Sequence, residues 1–227
     1  MEYILSDLLP YAKEILPNLL DGLLLTLNIG IISFLGALLL GALLAIIYTV
    51  KNPVINGLIR IYVSFYRGTP LLMQLFLFYY GLPLIFSVLL KLPKMEALIL
   101  CMALNGSAYV CESIRGAIEG IDRGQYEAGA AFGMGHYQTM FQIIFPQAAV
   151  SAVPTLTSTF LDLIKMSSIG MTIGIQELTG KAQLITATKY NAFETYLIAI
   201  ILYWVMSIVF EFIQKKIENK VSKAYVK

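Results

Sequence analysis

The sequence predicts an all-α integral membrane protein with five transmembrane helices, and three observations carry that expectation. Of 227 residues, 58% are hydrophobic and only 13% are charged, with a mean hydropathy of +0.76. Soluble domains carry about 45–50% apolar and about 25% charged residues, so the excess apolar surface requires lipid as its solvent. Second, uncharged runs near the roughly 20 residues needed to cross hydrocarbon recur along the chain. Third, the basic residues divide unevenly between the loops joining those runs.

Residues 1–21 carry Glu2, Asp7, Glu14 and Asp21 against a single Lys13. That is the opposite of a signal peptide's positive start, so the segment reads as an amphipathic, extracytoplasmic lead-in. The spans are expected at about 22–50, 62–88, 97–118, 154–175 and 193–213. Ile59–Arg67 forms a polar entry to the second, and Glu112 and Arg115 interrupt the far end of the third. Tyr137–Leu161 is uncharged but contains Pro146 and Pro154. It is therefore divided into the end of a loop, 119–146, and the start of the fourth span. A basic tail, 215–227, follows the fifth, and 22–214 reads as one membrane domain without short repeats or linkers.

With the N-terminus outside, the inner side receives Lys51, Arg60, Arg115, Arg123 and the tail lysines 215, 216, 220, 223 and 227. The outer side receives Lys13, Lys91, Lys94, Lys181 and Lys189. The inner excess fits the positive-inside rule and a cytoplasmic C-terminus. With no basic run before the tail, nothing suggests a nucleic-acid partner.

Catalytic chemistry finds little support. His136 is the only histidine, and Cys101 and Cys111 share one apolar stretch. Ten residues of helix separate them by about 15 Å, beyond disulfide reach, and a multi-histidine zinc site is excluded. No G-x-S-x-G or G-x-x-x-x-G-K-[ST] occurs, so the chain has neither a nucleophile elbow nor a phosphate-cradling P-loop. If transport uses ATP, another chain must bind it.

The stretch from Glu119 to Gly133 is polar and rich in small residues. Gln125–Phe132 suits a short helix, Gly133–Gly135 breaks it, and a second helix is expected to run to Pro146. Small residues on such a helix let another surface approach closely, although a plain solvated connector fits the composition equally.

The spacing Glu127-Ala128-Gly129, Gly133, Ile143, Phe145-Pro146 resembles the "EAA" coupling motif of bacterial ABC importer permeases. That motif has E-A-A, three residues, G, nine residues and I-x-L-P; Gly129 and Phe145 depart from it, small for small and apolar for apolar. Phe65–Leu75, Ala108–Gly116 and Leu163–Ser168 resemble segments of the polar amino-acid permeases, of the histidine, glutamine, arginine and cystine type. The resemblance, over about residues 15–215, implies the type I importer permease fold with a cytoplasmic coupling helix, in a bacterial inner membrane. It further implies a non-enzymatic subunit that dimerises with a second copy or a sister permease and receives a polar amino acid from an extracytoplasmic binding protein. ATP-binding cassette ATPase subunits would bind ATP and Mg, leaving no cofactor on this chain. The coupling residues would be Glu127, Ala128, Gly129, Gly133, Ile143 and Pro146.

A translocated zwitterion needs polar groups inside the membrane. The candidates are Arg67, Thr69, Asn105, Glu112, Asp162, Lys165, Ser167 and Ser168. Asp162 and Lys165 are spaced to meet on a helix, either as a structural pair or facing the path; Glu112 and Arg115 share that spacing. Asn105 could equally bond across helices. Arg67-Gly68-Thr69-Pro70 should disrupt its helix, which is tolerated at membrane depth where backbone is buried or lines a cavity. Arg67 could fork a substrate carboxylate or snorkel inward. An ion-coupled secondary transporter is the main rival; its uptake would follow an ion gradient and ignore ATP depletion.

Overall fold

The computed structural model describes residues 2–50 and 52–225, with side chains for 8–50 and 52–220. No strand occurs among the described residues. Helix α1, Glu2–Tyr48, is unbroken through Pro10 and Pro17. The expected lead-in and first span are thus one rod, whose 47 residues extend about 70 Å at helical rise. Ile15 and Leu19 on its first half are buried, so packing holds that part helical despite the prolines.

In the second stretch, expected over 62–88, the helix is interrupted at Gly68–Pro70, where the sequence places a disruption. Helix α2, Pro53–Gly68, starts where Asn52 accepts from the amides of Val54 and Ile55 at 3.0 and 3.2 Å, with proline in its first turn. It ends before Pro70, which disfavours helical backbone at Thr69. Helix α3, Leu71–Phe76, then passes through a π turn, Leu77–Gly81, into 3₁₀ turns at Leu82–Leu84 and Ser87–Lys91. Helix α4 covers Lys94–Glu119, close to the expected third span.

Helix α5, Arg123–Ala131, is capped by Asp122, and α6 is a single turn, His136–Thr139. The division at Pro146 and Pro154 requires correction. A π turn, Met140–Ile144, leads directly into α7, Phe145–Met166, with Pro146 in its first turn and Pro154 inside. Proline's missing N–H costs little at a helix start, and the π turn re-registers the bonds just before it. In the same helix Ser151, Thr157 and Ser158 donate to backbone carbonyls three or four residues back, satisfying hydroxyls that lipid would leave unpaired. A 3₁₀ segment, Ser167–Ile173, separates α7 from α8, Leu178–Lys189. Helix α9, Ala192–Tyr225, then carries the basic tail onward as helix; Met1, Lys51, Val226 and Lys227 lie outside the described residues.

Cross-helix contacts fix the directions. Ser33 reaches the Ile99 carbonyl, and Gly41 lies against Ser107 and Val110, so α1 and α4 run parallel. A Cβ on Gly41 would sit 2.6 Å from the Ser107 carbonyl oxygen, the close backbone approach typical of helices in membranes. Tyr62 meets Ser107 and Gln74 meets Asn105, while Leu82 lies by Cys101; α2 and α3 therefore return against α4. Gly30 abuts Ile164 and Phe34 abuts Phe160, making α7 antiparallel to α1. Tyr11 meets Thr195, and Thr26 and Tyr203 share Glu177, so α9 runs with α1.

Ile29, Leu75, Leu98, Met102, Val110 and Leu163 form the central cluster. Leu35, Leu39, Leu58, Ile61, Ile200 and Trp204 are among many large apolar side chains on the outside, the reverse of a soluble surface and suited to lipid. Four stretches, Leu8–Tyr48, Lys94–Glu119, His136–Ile173 and Ala192–Lys220, are long and apolar enough to cross a membrane. Leu71–Leu84 is a shorter apolar helix.

Candidate functional site

Helix α5 stands at the end of the bundle where α1 finishes, α2 begins and α4 finishes. Tyr48, Arg60, Arg115, Arg123, Tyr126 and His136 line a cavity of about 860 Å³ there. On α5, Glu127 and Ala128 are exposed while Gly129 is buried. A Cβ on Gly129 would lie 2.7 Å from Thr139 Oγ1. Glycine therefore stands where the motif has its second alanine because Thr139 of α6 fills the space. Gly133 has φ +74°, a left-handed conformation costly for other residues. It turns the chain from α5 to α6, and Gly129 accepts from the amide of Met134 at 3.0 Å. Ile143 falls in the π turn and Pro146 in the first turn of α7. Gln147 Nε2 donates to Gln125 Oε1 at 3.2 Å, tying α7 to α5. Phe132, 87% exposed, projects from the end of α5, and Tyr137 is also exposed. Phe132 is not among the residues singled out from sequence; its signal is an aromatic residue beside a glycine that must turn.

The polar candidates separate into three groups. At the break after α2, Thr69 donates to the Phe65 carbonyl at 2.8 Å. Asn105, buried in α4, donates to the Tyr66 carbonyl and to Gln74 Oε1, both at 3.0 Å. Gln74 Nε2 in turn reaches the carbonyls of Tyr66 and Thr69 and the Thr69 hydroxyl. The helix break is thus stitched by amide side chains, and Asn105 and Thr69 are committed to backbone. Gln74 was missed as a site residue; a glutamine inside an apolar run was its signal.

Arg67 Nη1 donates to Glu112 Oε2 at 3.0 Å, and Arg115 holds Glu112 at 2.8 Å and Glu119 at 2.6 Å. Arg67 therefore snorkels along α4 toward the α5 end and meets a carboxylate. The third group lies on α7. Asp162 and Lys165 pair at 2.9 Å, and both are exposed. Exposed Ser151, Thr155 and Ser158 continue the same helical face, a polar stripe at odds with the apolar exterior. Ser167 is buried and donates to the Ile164 carbonyl at 2.8 Å, while Ser168 is half-buried.

Sequence reading also missed Glu177. It is fully buried at the start of α8. Its carboxylate accepts from the amides of Thr179 and Gly180 at 3.0 and 2.8 Å, from the Tyr203 hydroxyl at 3.0 Å and from the Thr26 hydroxyl at 3.3 Å. Burial raises its carboxyl above the ordinary range, while the two amides and two hydroxyls pull it back down.

Residues 37–223 match the family described as "Binding-protein-dependent transport system inner membrane component". The chain belongs to that family. Among its relatives, "Probable amino-acid ABC transporter permease protein PatM" of Vibrio harveyi is 41% identical over 217 residues, covering 96% of this chain and 97% of that one. The L-cystine transport system permease protein TcyL of Bacillus subtilis (strain 168) is 30% identical over 214 residues, covering 92% and 90%. A crystal structure of an amino acid ABC transporter with histidines superposes with a TM-score of 0.88 at 34% identity, over 94% of this chain and 98% of its own. The MetNI methionine ABC transporter in an inward-facing conformation has a TM-score of 0.76 at 18% identity, covering 92% and 98%, which speaks to fold alone. The chain is thus an amino-acid ABC importer permease with the type I permease fold. It is a transport subunit of the membrane rather than an enzyme, and ATP hydrolysis resides in a separate subunit.

Proposed function

We propose that this permease crosses the inner membrane five times and couples α5 to an ATP-binding subunit. The helix directions support the count: α1, α4 and α9 run one way, α7 and the broken α2–α3 pair the other. The α5 end gathers Arg60, Arg115 and Arg123, and the tail lysines follow α9 toward it. The positive-inside rule makes that end cytoplasmic and the N-terminus extracytoplasmic.

The observation that carries the coupling reading is that α5, seated on the end of the bundle through Tyr126 and Gly129, exposes Glu127, Ala128 and Phe132. Gly129, Gly133, Ile143 and Pro146 shape its support. Closure of two ATPase subunits around ATP and Mg would move this handle, and with it the bundle between inward- and outward-facing states. The polar stripe of α7 cannot face lipid without cost. It faces a second permease copy or sister chain and the path between them. Asp162 and Lys165 offer the charges a zwitterionic amino acid requires, delivered by an extracytoplasmic binding protein. Relatives named for glutamine and L-cystine transport support a polar amino acid as the cargo.

Replacing Phe132 by Asp tests this reading in proteoliposomes containing the ATPase subunits and binding protein. ATP-dependent uptake should fall at least about tenfold and ATPase co-purification should weaken, with thermal stability unchanged, because the ring touches solvent in the isolated chain. Uptake that follows an ion gradient and ignores ATP would overturn the reading in favour of a secondary transporter.

A further inference from the structure

We infer that Arg67, Glu112, Arg115 and Glu119 form an ion-pair strut that positions the broken second crossing according to the state of the coupling helix. Three observations lead there. Arg67 is the penultimate residue of α2, immediately before the Gly68–Pro70 break. Helix α4 grips that break twice, through Asn105 on the Tyr66 carbonyl and through Glu112 on the Arg67 guanidinium. These grips are seven residues apart, or about two turns. Glu112, Arg115 and Glu119 then continue the charges along one face of α4 by steps of three and four. The last of them stands four residues before Arg123, the first residue of α5.

Tyr48 closes the assembly at the end of α1. The Arg60 and Arg115 guanidinium carbons lie 5.7 and 5.8 Å from its ring centroid, and Arg60 Nε donates to its hydroxyl at 2.9 Å. Arg67 similarly lies 5.6 Å from the Tyr109 ring. The ends of α1, α2 and α4 therefore meet through charge and aromatic faces as well as through the apolar cluster of Ala45, Ile59, Val63, Ala108 and Cys111.

The strut is suited to being broken and remade. The Arg67 and Glu112 side chains retain 44% and 27% exposure and line a cavity of about 400 Å³ with Ser64 and Arg60. Partly exposed pairs add little to stability, so exchanging partners between two states costs little. What the pairs fix is direction. A displacement of α5 pulls on the end of α4, and Glu112 transfers it to the one point in the second crossing where the backbone is already interrupted. Arg67 accordingly acts as a positioning residue, with one guanidinium N–H on Glu112.

This inference rests on the coupling reading above, and the experiment separates the two. Wild type, Glu112→Gln, Arg67→Gln and Arg67→Lys would be reconstituted with the ATPase subunits and binding protein. Amino acid imported per ATP hydrolysed, the KM for uptake and the melting temperature would be measured for each. Glu112→Gln and Arg67→Gln should lower the transport-to-hydrolysis ratio at least about fivefold, with KM within about twofold of wild type. Arg67→Lys should restore most of the ratio, because Arg67 uses a single N–H on Glu112 and a lysine ammonium supplies one. A ratio unchanged in both glutamine variants would overturn the strut. So would a rise in KM confined to the Arg67 variants, which would mark direct substrate contact, or losses that track melting temperature. Failure of the wild-type permease to bind its ATPase would instead remove the coupling reading.

Discussion

The two ends of this molecule solve opposite problems. At the α8 end, Glu177 is sealed among α1, α8 and α9, and every group it meets belongs to the chain itself. At the other end, α5 is joined to its neighbours by the Gln147–Gln125 hydrogen bond, the Gly129–Thr139 contact and the packing of Tyr126 on Ile118, Met140 and Ile144, and turns Glu127, Ala128 and Phe132 outward. The hub holds three helices in one unit; on the coupling reading, the handle is kept for another protein. Their sensitivities should differ accordingly: hub changes should cost stability, handle changes should cost transport.

The largest expected effect is at the hub. Replacing Glu177 by Leu leaves two amides and two hydroxyls without their acceptor in a site that excludes water. Each orphaned buried donor costs about 1–3 kcal/mol before relaxation, so a net loss on the order of 3 kcal/mol is expected. In detergent the melting temperature should fall by roughly 5–10 °C. Glu177→Gln, which keeps an acceptor oxygen, should fall by less than half as much. A leucine variant as stable as wild type would break the comparison, since the hub would then hold nothing together.

That asymmetry also governs what the sequence discloses. On the coupling reading the handle occupies one short segment, so Glu127, Ala128, Gly133 and Pro146 leave a spacing that reads along the chain. Residues that satisfy one another across the bundle do not. Thr26 and Glu177 are separated by 151 positions, and neither lies in a pattern that marks the other. Apolar runs mark the four stretches that are long and apolar enough to cross a membrane, because hydrocarbon thickness sets the length such runs need. They misplaced the boundaries wherever packing overruled a local breaker. Pro10, Pro17 and Pro154 sit inside helices, whereas at Gly68–Pro70 the breaker acts as its residues lead one to expect. Arg67 was legible as unusual, but its partner Glu112 came from another helix.

A smaller effect sharpens the view of the handle. Gly129→Ala restores the residue the coupling motif carries, yet its Cβ would press on Thr139. Overpacking of this kind costs about 1–3 kcal/mol and should tilt α5 on α6. ATP-dependent uptake should drop several-fold with the melting temperature nearly unchanged, because α5 contributes little to the core. Adding Thr139→Ala should recover most of the activity. If the double variant is no better than Gly129→Ala, the contact does not set the orientation of α5.

The smallest stability effect belongs to Asp162 and Lys165, which sit on the bundle yet behave as neither hub nor handle. Their pair is exposed on both sides, and exposed pairs contribute about 0–1 kcal/mol. Asp162→Asn should therefore shift the melting temperature by no more than about 2 °C. If the α7 stripe lines the path, the same change should raise the KM for uptake at least threefold, while the amino acid imported per ATP hydrolysed stays near wild type. That pattern is the inverse of the one expected for Glu112→Gln, where the ratio falls and KM holds. A marked loss of stability with KM unchanged would move Asp162 out of the path and into the contact with the neighbouring permease. The three regions would then reduce to two, one that holds chains together and one that moves them.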